Sequence, residues 1–107
     1  MPIYNKLIRD LIPEIIERNG DISKIRILNQ REYKLELLKK LIEESKEVLE
    51  ARNNKKDLIK EIGDVMEVLE SIEKTYKLNK KDILKIKKER IKKRGGFEKR
   101  IFLEKTN

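Results

Sequence analysis

Two acids stand where helical spacing would place apolar side chains. Leu37, Leu41, Glu44 and Val48 follow steps of four, three and four residues, so on a helix Glu44 occupies a slot suited to leucine. Glu61 has Leu58, Val65, Val68 and Ile72 on or beside its own face. An ionised carboxylate turned toward an apolar seam is costly unless a basic partner, hydrogen bonds or a bound cation compensates it. Glu43 and Glu47 accompany the first acid and Asp64 the second. At about 100° per residue, Glu43, Glu44 and Glu47 share an arc of about 100°, while Glu61 and Asp64 are one turn apart. If the two helices pack antiparallel, five carboxylates converge on one small volume. Their mutual repulsion favours a cation, and hard oxygen ligands in this number suit Mg²⁺ or Mn²⁺. The plainer alternative is a solvated acidic face, an ordinary feature of a chain with 45% charged residues.

The composition narrows the chemistry further. With no cysteine and no histidine, the 107 residues exclude disulfides, thiolate nucleophiles, histidine-based triads and histidine-ligated zinc. Any catalysis must therefore run on carboxylates, lysines, arginines or hydroxyls. The net charge of +8 is unevenly spread: residues 74–107 carry 14 Lys and Arg against 4 acids, and residues 1–73 carry 14 against 16. No apolar run exceeds three residues, so neither a membrane span nor a secretion signal is expected, and the cytoplasm is the default location.

The elements that must position the acids are helical. A short turn begins at Pro13 and stops at Asn19-Gly20, after which Lys24 to Leu28 alternates with period two and reads as a short strand. The first long helix is expected over Glu32 to Ala51. Asn53 and Asn54 close a tight connection and cap the next helix, which carries Leu58, Ile59, Ile62, Val65, Met66, Val68, Leu69, Ile72 and Tyr76. That apolar arc covers about half the circumference, wider than one partner helix would bury. Gly63, in mid-helix beside the acids, suggests close helix packing. Asn79 with Asp82 predicts a further helix from Lys80 to Arg94, stopped by Gly95-Gly96. Phe97 to Glu104 alternates loosely and could pair with the strand near Ile25 to Leu28. The expected fold is thus an all-α antiparallel helical bundle with short terminal strands, one domain, completed by a homodimer or higher homo-oligomer.

The string Glu43-Glu44-Ser45-Lys46-Glu47, followed after 13 residues by Glu61-Ile62-Gly63-Asp64, resembles the EExxE and ExxD motifs of the all-α nucleoside triphosphate pyrophosphohydrolases. That group includes MazG-like proteins, dimeric dUTPases and phosphoribosyl-ATP pyrophosphohydrolases. Residues 4–16 (YNKLIRDLIPEII) and 93–103 (KRGGFEKRIFL) resemble the ends of a small phosphoribosyl-ATP pyrophosphohydrolase-like branch, with Leu11 replacing an expected lysine. The resemblance implies Mg²⁺-dependent cleavage of a nucleotide substrate between its α and β phosphates. It implies Glu43, Glu44, Glu47, Glu61 and Asp64 as metal ligands, with Glu44, Glu47 or Glu61 orienting the attacking water. Arg90, Lys93 and Arg94, backed by Lys6 and Arg9, are the candidate phosphate-binding residues. The competing function is a non-enzymatic nucleic-acid-binding protein that uses the basic carboxy-terminal third. A third is a relative that keeps the fold and has lost turnover.

Overall fold

The computed structural model describes residues 2–107, and these form four helices: α1 (Ile12–Arg18), α2 (Gln30–Glu50), α3 (Lys55–Thr75) and α4 (Lys80–Arg94). Each of the three longer helices begins at an asparagine in extended backbone whose side chain accepts an otherwise unpaired backbone N–H. Asn29 takes that of Glu32 at 2.9 Å, Asn54 that of Asp57 at 3.0 Å and Asn79 that of Lys81 at 2.8 Å. Arg26 adds a two-pronged ion pair to Glu32, at 3.2 and 2.8 Å, fixing the chain just before α2. Pro13 lies in the first turn of α1, where its missing N–H costs nothing. Gly95 ends α4 at φ 81°, a left-handed conformation that a side chain would oppose.

Only the four residues 51–54 separate α2 from α3, so the two run antiparallel and pack against each other as a helical hairpin. The chain divides into two compact units, one ending at Tyr76 and the other comprising Lys77–Asn107. In the first unit Leu37 on α2 and Ile72 on α3 are the buried apolar residues, and Glu44 is buried with them. The Tyr76 hydroxyl donates to the backbone carbonyl of Lys34 at 3.2 Å, tying the end of α3 to the start of α2. Every residue of the second unit is exposed.

Three expectations are corrected by the fold. No strand occurs among the described residues: Lys24 to Leu28 and Phe97 to Glu104 are irregular, with Ile27 and Phe102 each more than four-fifths exposed. A strand needs a paired edge as well as alternation, and two such short segments supply too few ladder bonds and too little buried surface to hold one. Gly63 does not mark a tight contact within the chain, because a Cβ built there would meet nothing within 4 Å. The first long helix begins at Gln30, two residues earlier than its apolar periodicity suggests, because Asn29 supplies the cap.

Candidate metal centre

The acids meet near the closed end of the hairpin. Glu44 lies six residues before the end of α2 and Glu61 six residues after the start of α3, so antiparallel packing puts them at one level. Carboxylate oxygens of Glu44, Glu61 and Asp64 all lie within 4.8 Å of one another. Octahedral Mg²⁺, with metal–oxygen distances of about 2.1 Å, takes ligand oxygens roughly 3–4 Å apart, so the three oxygens lie near the spacing such an ion takes. Glu47 does not join that trio of oxygens. It lies beside it and lines an open recess of about 430 Å³ with Glu50, Ala51, Asp57, Lys60 and Glu61.

Burial of Glu44 separates this cluster from a fully solvated acidic face, although Glu61 and Asp64 are only half-buried. Glu44 retains 8% of its exposure, and its Oε2, like Oε2 of Glu61, is buried with no hydrogen-bond donor. A buried carboxylate oxygen with no donor carries the desolvation cost of a charge without the compensating bond. Burial pushes Glu44 up to about 7, and the neighbouring Glu47 and Asp64 carboxylates act in the same direction, against the opposing pull of Lys40. Burial likewise raises Glu61, again with Glu47 and Asp64 contributing. Two carboxylate oxygens of the site thus lie buried without a hydrogen-bond partner.

The remaining candidates divide between the two units. Glu43 faces cations instead of the cluster: Lys6 Nζ lies 2.9 Å from its Oε1 and Lys40 Nζ 3.1 Å from its Oε2. Burial opposes ionisation of Glu43, but the bonds from Lys6 and Lys40 outweigh it and hold the carboxyl below its ordinary value. Arg9 spans two acids of α3, with Nη2 2.8 Å from Asp64 Oδ1 and Nη1 2.7 Å from Glu67 Oε1. Lys6 and Arg9 therefore stand at the acidic site. Arg90, Lys93 and Arg94 lie in the second unit, where they line a recess of about 730 Å³ at the end of α4 together with Ile86, Glu89 and Lys92.

Two residues important to the site's charge balance carry no motif signal. Lys40 reaches Glu43 and, at 3.7 Å, Glu44. Its spacing of three and four residues from those acids was the available clue. Glu67 anchors Arg9 one turn beyond Asp64 and looks like any exposed glutamate in the sequence.

Comparison with protein-family models, with curated proteins and with solved structures finds no match for this chain.

Proposed function

We propose that this chain is a metal-dependent nucleoside triphosphate pyrophosphohydrolase, converting a nucleotide to its monophosphate and pyrophosphate. The observation that carries the reading is the pair of buried, donor-less oxygens of Glu44 and Glu61 beside Asp64, together with the acidic motifs containing them. Glu44, Glu61 and Asp64 would hold Mg²⁺, with Mn²⁺ as an alternative, and Glu43 would join them only after giving up Lys6 or Lys40. When bound, the ion supplies charge neutralisation of the triphosphate, polarisation at phosphorus and a lowered water pKa.

The chain's own groups supply the rest. Glu47 faces the open recess beside Glu61, which suits it to orient the attacking water and accept its proton. Lys6 and Arg9 stand at the edge of the cluster, within the same unit, and suit the oxygens of a departing pyrophosphate. Arg90, Lys93 and Arg94 line a recess of their own in the second unit, where they offer cations for phosphate contact.

We also assign self-association to the first unit. Ile59, Ile62, Met66 and Leu69 recur at steps of three, four and three along α3, and each is at least 40% exposed. Leu35, Leu38, Ile42 and Leu49 form a similar exposed stripe on α2. Apolar stripes with this spacing suit burial between helices, and a second hairpin would complete a four-helix bundle.

The direct test is pyrophosphate release from a panel of ribo- and deoxyribonucleoside triphosphates with Mg²⁺, comparing wild type with Glu44→Gln. The reading expects release by wild type and a loss of at least about a hundredfold in the variant. Equal release by both proteins would remove Glu44 from the mechanism.

The basic second unit supports a different reading, nucleic-acid binding through backbone phosphates. It carries 13 Lys and Arg against 4 acids in residues 77–107, all exposed. Binding of that kind weakens steeply with salt and needs no Mg²⁺. Tight, salt-sensitive duplex binding with no pyrophosphate release on any substrate would favour it.

A further inference from the structure

Residues 2–11, before α1, have no regular structure, and most of their side chains are exposed. Two of their cations nevertheless lie on the acidic site. The backbone turns at Asn5, whose φ of 45° is in the left-handed region that asparagine tolerates better than most residues. Just beyond that turn Lys6 meets Glu43 on α2, and three residues later Arg9 meets Asp64 and Glu67 on α3. Asp64 also contributes an oxygen to the Glu44, Glu61 and Asp64 trio. One guanidinium therefore neutralises an acid that a divalent cation would also use.

We propose that Lys6 and Arg9 form an exchangeable counter-charge. They neutralise the outer carboxylates of the cluster in the metal-free protein, and a bound divalent cation displaces them, freeing both for the phosphate oxygens of a metal-bound polyphosphate. The proposal rests on the metal reading given above and adds a competition to it.

Three features support exchange over a fixed strut. Lys6 and Arg9 side chains retain 43% and 54% exposure, so neither is buried, and the one ring contact of Lys6, 5.8 Å from the Tyr4 centroid, is within the same segment. Glu67, the second anchor of Arg9, lies outside the metal set and can keep the segment near the site after Asp64 is released. The inner oxygens on Glu44 and Glu61 have no donor, so the two cations leave the centre of the cluster open. The segment thus answers the charge at the rim and leaves space for the ion within. Its release turns the same positive charge toward the ligand that the ion brings.

The signature is a pair of opposite effects on two ligands. Mg²⁺ binding to the full chain is measured by calorimetry, then binding of inorganic tripolyphosphate at saturating Mg²⁺. The Lys6→Met, Arg9→Met double variant is expected to bind Mg²⁺ about three- to tenfold more tightly than wild type, because two competing ion pairs are gone. It should bind tripolyphosphate about tenfold more weakly, because two charge-assisted donors are gone. The charge-keeping Lys6→Arg, Arg9→Lys variant should return both affinities toward wild type.

Should the double variant not fold, Lys6→Met alone leaves Glu43 its Lys40 partner and Arg9 its anchors, and should move both affinities in the same opposite directions by about twofold. Mg²⁺ binding unchanged or weakened in the variants overturns the exchange, since a strut that merely positions carboxylates would loosen both ligands together. Absence of Mg²⁺ binding from wild type and variants alike would instead overturn the metal reading beneath it.

Discussion

At the scale of single residues, Glu44 is the group on which the account turns. Its folded value of about 7, against an ordinary 4.5, means that the folded chain favours the protonated carboxyl. In the metal-free protein its contribution to stability is therefore full below about pH 4.5 and lost as pH rises through about 7. Glu44→Gln mimics the protonated form at every pH. The variant should match wild type near pH 4.5 and exceed it by on the order of 3 kcal/mol at pH 8, in urea unfolding with chelator present. A variant less stable than wild type at pH 8 would show that the charged carboxylate is already well compensated. The sequence made Glu44 legible because helical periodicity alone places it in the apolar stripe. It could not show that Glu43, one residue earlier, turns instead to Lys6, 37 positions away and on a segment without periodicity. A pairing of this kind depends on the path of irregular backbone, and residue spacing carries no record of that path.

At the scale of elements, the helices were readable because local chemistry specifies them. Asn54 and Asn79 cap the helices they were expected to cap, and Gly95 stops α4 where the sequence placed its end. The strands failed for the complementary reason: alternation is a local pattern, but a ladder requires a partner that the pattern does not guarantee. Gly63 belongs to this scale as well. A methyl group added at its exposed mid-helix position would meet nothing within 4 Å, so Gly63→Ala should stabilise the chain by about 1 kcal/mol through helix propensity alone. Thermal and urea unfolding would measure this. A loss of stability would mean that a helix from another copy lies against Gly63 in solution, restoring the close-packing role that its place in the sequence suggested.

At the scale of the whole molecule, the balance between exposed apolar surface and core is the dominant fact. Leu37 and Ile72 are the apolar residues buried among those described, while leucines, isoleucines and methionine recur along the open faces of α2 and α3. Small domains have little margin to leave such surface in water. Sedimentation should therefore find a dimer or larger assembly at micromolar concentration, and substitution of Ile62 and Met66 by glutamate should shift it toward monomer. A wild-type monomer at all concentrations would contradict self-association and leave the heptad-like stripes without a role. The broad apolar arc of α3 was visible from residue spacing alone and was reason to expect a partner. No helix among the described residues is long and apolar enough to cross a membrane.

The measurement that tests the central claim most directly is Mn²⁺ uptake, read from the loss of the free-ion electron paramagnetic resonance signal on titration into wild type, Glu44→Gln and Glu61→Gln. Mn²⁺ shares the oxygen preference assigned to Mg²⁺ here, and its uptake is seen without any substrate. Saturable uptake by wild type at pH 8 is expected, with affinity lowered at least about tenfold in each variant, since each loses a charged ligand from the cluster. Equal uptake by all three proteins would contradict this, placing the ion elsewhere and leaving the acidic cluster without a metal.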